Sequence, residues 1–171
     1  DAFVAKFNKK GERQWSTYLG GSNEDAGLDV STDSNGNIFI TGRTKSENLA
    51  VGNNVHQNVL GGEEDAFAAK FSASGDIRWF TYFGGESYDS GTGIVSNANY
   101  AYLVGTTSST TSISSSTVSV FGGNYDGFVA KFNSSDGSSV WSRYYGGEDV
   151  DEFQAIDIDG SYLYCAGQTS S

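Results

Sequence analysis

The sequence predicts an all-β protein, a β-propeller built of four-stranded antiparallel blades, and two observations support this. First, the chain repeats itself, because DAFVAKF at residues 1–7 returns as DAFAAKF at 65–71 and as DGFVAKF at 126–132. Second, each copy is followed by a polar glycine turn and a tryptophan strand that ends in two glycines. An internal repeat that begins at residues 1, 65 and 126, in a sequence without a sustained helical period, indicates an array of similar β units.

Four strands are predicted in each unit, always in the same order. The first strand carries apolar side chains on both faces, such as Phe3 and Val4, so it needs cover on both sides. The third and fourth strands are joined through Asn35-Gly36, a dipeptide that predicts a tight hairpin between apolar runs. A longer connection over residues 45–62 leads to the next DAF strand. In the first unit the predicted strands lie at 1–8, 13–21, 26–33 and 37–44.

The repeat units are predicted at residues 1–64, 65–125 and 126–171, within a single propeller segment. Grouping the strands into sheets gives two, four, four and two, which is three blades with one of them split between the chain ends. Propellers close with about four to eight blades, so three blades leave the ring open. The expected partners are therefore other propeller segments, in a longer polypeptide or in a homodimer that closes a six-bladed ring.

The succession over residues 1–44 resembles the SBBP-type β-propeller repeat, which joins a DAFVAKF strand, a WSTYLGG strand, an acidic D-x-G step and a T-G hairpin strand. The resemblance covers nearly the whole chain. It is closest at 1–44, good at 65–105 and weaker at 126–169, where Arg143 replaces the threonine. It implies a propeller from a large extracellular or cell-surface protein, and it does not imply a reaction.

Composition excludes some classes of partner. The net charge is −11 with only ten lysines and arginines, which argues against nucleic acid, because phosphates need a basic surface. No apolar run approaches the roughly 20 residues that cross a bilayer, so no membrane insertion is expected. The single cysteine, Cys165, lies in an apolar segment and is predicted to be a small buried side chain.

Acidic residues recur after each tryptophan strand, at Asp25, Asp89 and Asp151. An aspartate just before a strand commonly caps a turn by accepting backbone N–H bonds, and this role is the expected one. Calcium is the weaker alternative, because no segment has the spacing of a calcium loop. No cofactor is expected. A second recurrent acid, at Asp1, Asp65 and Asp126, is interpreted in the same way.

A lysine recurs inside each DAF strand, at Lys6, Lys70 and Lys131. A buried ammonium group needs carboxylate or carbonyl partners. A structural ion pair with one of the repeated aspartates is therefore predicted for each lysine, in preference to a role as a catalytic base.

Asn133-Ser134-Ser135 is an N-glycosylation sequon on a predicted turn. Residues 106–120 are rich in serine and threonine and are predicted to form a flexible or decorated loop. Both features favour an extracellular glycoprotein. The loop residues Tyr88 and Tyr125 either stack on sugars or fill gaps between blades, and the second interpretation is preferred.

The predicted function is therefore a non-enzymatic extracellular or cell-surface module that acts as a structural or adhesive scaffold, in a larger repeat protein, a fibre or an oligomeric ring. A lectin-like propeller that binds glycans is the alternative. A hydrolase with a site at the channel mouth is more distant, with Asp29, Asp157 and Asp159 as its paired carboxylates. A Ser-His-Asp triad would depend on His56, the only histidine.

Overall fold

The computed structural model describes residues 1–113, 115 and 119–171, and every regular element in this part of the chain is a β-strand. The described residues contain no helix long and apolar enough to span a membrane. The strands are β1 (Ala2–Phe7), β2 (Arg13–Leu19), β3 (Asp25–Thr32), β4 (Ile38–Thr44), β5 (Asp65–Phe71), β6 (Ile77–Phe83), β7 (Asp89–Ser96), β8 (Tyr100–Thr107), β9 (Asp126–Asn133), β10 (Ser139–Tyr145), β11 (Asp151–Asp159) and β12 (Tyr162–Thr169).

The strands form four antiparallel sheets in chain order. Two are complete blades, β3-β4-β5-β6 and β7-β8-β9-β10, and two are half-blades, β1-β2 and β11-β12. The predicted series of two, four, four and two strands is thus confirmed. Successive sheets pack against each other: β7 lies against β3 and β4, and β11 lies against β7 and β8. The sheets do not close into a ring.

Each complete blade joins strands from two sequence units. β4 pairs with β5 from Thr44 opposite Asp65 to Ile38 opposite Phe71. β8 pairs with β9 in the equivalent register, with Thr107 opposite Asp126. A T-G strand therefore always pairs with the DAF strand that follows it in the sequence. Half-blade β1-β2 lacks such a T-G strand, and half-blade β11-β12 lacks such a DAF strand.

The predicted hairpin between β3 and β4 is confirmed. Gly36 has φ +77°, a backbone conformation that glycine adopts without strain. The Asp33 carboxylate accepts hydrogen bonds from the backbone N–H groups of Asn35 and Asn37 at 2.9 and 3.0 Å. This short turn fixes the register of the two strands, in which Ile38 lies opposite Thr32.

The long connections run along the outer strand of each blade. Val51 exchanges backbone hydrogen bonds with Phe80 on β6. Further along β6, the backbone N–H of Gln57 donates to the Thr81 hydroxyl, and the Gln57 carbonyl accepts from the Tyr82 N–H. These contacts cover an edge that would otherwise invite aggregation.

The serine- and threonine-rich connection does the same on β10, where Ser115 bonds Ser142 and Ser119 bonds Tyr144. Ser109 and Ile113 are fully buried, whereas Thr110, Thr111, Ser112 and Ser115 are exposed, so this loop is anchored to the blade at single residues. The prediction for Ser114, Ser116, Thr117 and Val118 falls outside the described residues.

The core lies between neighbouring blades. One cluster includes Phe39, Trp79, Phe128 and Phe132, and a second includes Phe67 and other side chains from β4, β5 and β6. Strand β5 is buried on both faces, as the apolar pattern of the DAF strand predicts. Strand β1 is buried on one face only, and this difference defines the site described next.

Candidate functional site

The two half-blades expose side chains that the complete blades bury. Phe3 on β1 is 70% exposed, whereas its equivalents Phe67 and Phe128 are 1% and 0% exposed. Tyr18 on β2 is 79% exposed, and its equivalent Tyr82 is 0% exposed. The residue types are the same, so this face of half-blade β1-β2 is an apolar surface at positions that the complete blades bury.

Half-blade β11-β12 also exposes aromatic side chains and has a free strand edge. Tyr162 and Tyr164 on β12 are 70% and 57% exposed. Beside them an open groove of about 400 Å³ runs between β11-β12 and the preceding blade, and Phe153, Leu163 and Cys165 line it. The free edge of β12 is the edge at which β4 and β8 pair with a DAF strand in the complete blades.

The three candidate calcium residues lie at equivalent turns and accept hydrogen bonds there. The Asp89 carboxylate accepts from the backbone N–H of Gly85 and the hydroxyl of Ser109, both at 2.8 Å, and from the hydroxyl of Thr107. Asp25 repeats this set with Gly21, Thr44 and Ser46, and Asp151 accepts from Gly147 and Ser171. The carboxylates thus cap the double-glycine turns, which is the interpretation that the sequence favours.

The second recurrent acid lies against the first. A Cβ atom built on Gly84 would lie 2.6 Å from carboxylate atoms of both Asp65 and Asp89, so only glycine leaves room for the two side chains. Asp65 accepts hydrogen bonds from Gly61 and Gly62, as Asp126 does from Gly122. Burial raises the pKa of Asp65 to about 6, and the nearby Asp89 carboxylate adds to this effect.

The described residues contain no group of three or more histidine, cysteine, aspartate or glutamate side chains placed to hold a metal ion. The carboxylates of the recurrent aspartates in these turns already accept hydrogen bonds from hydroxyl groups and backbone N–H groups. Calcium binding at Asp25, Asp89 or Asp151 therefore stays a prediction.

The predicted ion pairs between the recurrent lysines and the recurrent aspartates are wrong. Lys70 donates to the backbone carbonyl of Ser134 at 2.9 Å, and Lys6 donates to that of Ala73 at 3.1 Å. Lys131 lies over the ring of Tyr100, 3.5 Å from its centroid. In the described part of the chain, no recurrent lysine forms an ion pair with a recurrent aspartate. A carbonyl suffices for Lys70, which is partly buried, and for Lys6, which is exposed, because both ammonium groups keep part of their hydration.

The tryptophans share these carbonyls, which sequence reasoning missed. Trp79 donates its indole N–H to the Ser134 carbonyl at 3.0 Å, and Trp15 donates to Ala73 at 3.2 Å. Each tryptophan is the cross-strand partner of the recurrent lysine, as in Lys70 opposite Trp79. The signal in the sequence is the recurrence of both residues, but the acceptor is a backbone atom of the next unit and has no side-chain signature.

The remaining candidate residues are the predicted glycosylation site and the two loop tyrosines. Asn133 ends β9, and its side-chain amide donates to the Ser138 hydroxyl at 2.8 Å; glycosylation there stays a prediction. Tyr88 is 45% exposed and its hydroxyl donates to Glu63, while Tyr125 is 38% exposed. Binding of a glycan by these tyrosines stays a prediction.

The residues considered for catalysis also occupy structural positions. The His56 ring packs against Phe83, with ring centroids 5.5 Å apart. The Asp29 carboxylate accepts a hydrogen bond from the backbone N–H of Ile94 in the next blade at 2.8 Å. Asp157 caps the N–H of Ile158 on its own strand at 2.8 Å. Cys165 is only partly buried, which differs from the buried side chain that the sequence predicts, and this burial raises the pKa of its thiol.

Comparison with known proteins agrees with the geometry. Residues 14–50 match the model of the SBBP β-propeller repeat. A stretch of 103 residues, 58% of this chain, is 33% identical to the regulatory protein FlaEY of Caulobacter vibrioides. This chain spans about a tenth of the length of that relative. The chain therefore carries an SBBP β-propeller repeat, within a series of antiparallel sheets that are built as propeller blades.

Proposed function

We propose that this chain is a non-enzymatic scaffold module that assembles with further propeller segments by completing its two half-blades. The observation that carries the proposal is the contrast between Phe3, which is 70% exposed, and the buried Phe67 and Phe128 at the same repeat position. Covering such apolar surface is the dominant driving force of protein association. A second copy of the chain offers the missing strands at both ends, and two copies would form six blades, within the range of closed propellers.

The setting that we propose is extracellular or at the cell surface, in a structural or adhesive assembly. Support comes from the sequon at Asn133 and from the polar tract over residues 106–120.

The complete blades define the register in which β12 of one copy would pair with β1 of another. Ile40 lies opposite Ala69 in one blade, and Leu103 lies opposite Ala130 in the next. The equivalent pair between two copies is Cys165 opposite Ala5. Facing Cβ atoms in an antiparallel pair are about 4.5–5.5 Å apart, close to the spacing of a disulfide.

The variant Ala5→Cys tests this register, because a disulfide with the native Cys165 of a second copy would trap the dimer. We expect a covalent dimer under mild oxidation, with the link between position 5 of one copy and Cys165 of the other identified by peptide mass mapping. The matched control is Val4→Cys, whose side chain points to the opposite face of the strand. If both variants crosslink equally, the proposed pairing is contradicted.

A further inference from the structure

Within the chain, neighbouring blades are fastened by a repeated contact that we call the latch. A latch consists of a lysine and a tryptophan that face each other across a hairpin and donate to one backbone carbonyl of the next blade. Trp79 and Lys70 donate to the Ser134 carbonyl at 3.0 and 2.9 Å. Trp15 and Lys6 donate to the Ala73 carbonyl at 3.2 and 3.1 Å. The latch thus occurs twice with nearly the same geometry.

A glycine completes each latch. Gly137 has φ +75°, and a Cβ atom built on it would lie 2.9 Å from the Trp79 ring. Gly75 has φ +93°, and its Cβ atom would lie 3.0 Å from the Trp15 ring. The indole therefore covers the turn so closely that a side chain at the glycine would have to displace it.

The third tryptophan and lysine form an open half of a latch. Trp141 faces Lys131 across β9 and β10, as in the other two pairs. Within the described residues the Trp141 indole N–H has no hydrogen-bond acceptor, and the Lys131 ammonium lies over Tyr100. Among the described residues no further turn lies against them, and β11-β12 has the two strands of a half-blade.

The first glycine turn is the complementary half. Gly11 has φ +82°, and a Cβ atom built on it would meet no atom within 4 Å. The turn is closed by a hydrogen bond from the Gly11 N–H to the Asn8 carbonyl at 3.0 Å, equivalent to that from Gly75 to Ser72 at 3.0 Å. The carbonyl of Lys9 therefore occupies the position of the acceptor carbonyl of Ala73.

We infer that Trp141 and Lys131 of one copy bind the Lys9 carbonyl and cover Gly11 of a second copy, which forms a third latch between chains. The inference rests on the proposed function, and it names the contact that holds the assembly. It continues an interface that the chain already contains twice. Pairing of β12 with β1 of the second copy brings the β1-β2 turn beside β10, as the β9-β10 turn lies beside β6.

A double-mutant cycle on the full chain tests the latch. Trp141→Ala removes the indole, and Gly11→Asn places a side chain where the indole must lie. Asparagine tolerates positive φ better than most residues, so the turn is expected to keep its fold. Dissociation constants are measured by sedimentation over a dilution series, and circular dichroism checks the fold of each variant.

Each single variant is expected to weaken dimerisation by roughly 10- to 100-fold, as central tryptophan contacts in interfaces do. The double variant should be no weaker than the worse single variant, since both substitutions break one contact. Dimers of unchanged affinity, or effects that simply multiply, would overturn the latch and leave the proposed pairing intact. A chain that stays monomeric at every concentration would overturn both.

Discussion

Replacing Trp79 by alanine is expected to lower the free energy of unfolding by about 3–5 kcal/mol. Its side chain is 1% exposed and packs edge-on against Phe39, with ring centroids 6.1 Å apart. Removing it opens a cavity between two blades and leaves the Ser134 carbonyl without its indole donor. Urea unfolding followed by circular dichroism measures the loss, at a concentration where the chain is monomeric.

Trp141→Ala is the matched control for this experiment. Trp141 occupies the same position in the next blade but is only partly buried, because its latch is open in the single chain. We expect it to cost less than half of the free energy that Trp79→Ala costs. Equal losses from the two substitutions would contradict the distinction between closed and open latches.

The variant Asp65→Asn is expected to change how stability depends on pH. The Asp65 carboxyl is fully buried, and burial raises its pKa from 3.8 to about 6. The folded state therefore holds this proton more tightly than the unfolded state does. The stabilisation is complete below pH 3.8 and is lost as the pH rises through 6. A shift of this size corresponds to about 3 kcal/mol.

Asparagine at position 65 stays neutral at every pH and keeps one acceptor oxygen for the turn. The difference in unfolding free energy should therefore move in favour of the variant by about 3 kcal/mol between about pH 3.5 and pH 7. The slopes from other groups, such as Asp33 with its lowered pKa, occur in both proteins and cancel in the difference. A difference that does not change with pH would contradict the raised pKa.

The sequence predicts the strands well because each one carries a local signal. Alternating apolar residues mark β3 and β4, and the Asn35-Gly36 dipeptide fixes their turn. The partial blades at the two ends follow from counting the strands, which gives twelve in groups of two, four, four and two. The capping role of Asp25 also follows from its place just before a strand.

The contacts between blades are harder to predict from the sequence. Lys70 bonds a carbonyl 64 residues away, and a carbonyl is present on every residue. The close approach of Asp65 and Asp89 arises only when two turns fold against Gly84. The serine- and threonine-rich tract has a loop-like composition, yet Ile113 within it is fully buried against the core. Such contacts depend on how sheets stack, which short-range patterns do not encode.

The mass of the assembly in solution tests the central claim most directly, because the claim is that the two half-blades complete each other. Native mass spectrometry of the purified chain, over a range of concentrations, gives this mass. The account predicts a species of about twice the chain mass of 18.2 kDa. A mass of 18.2 kDa at every concentration would contradict it.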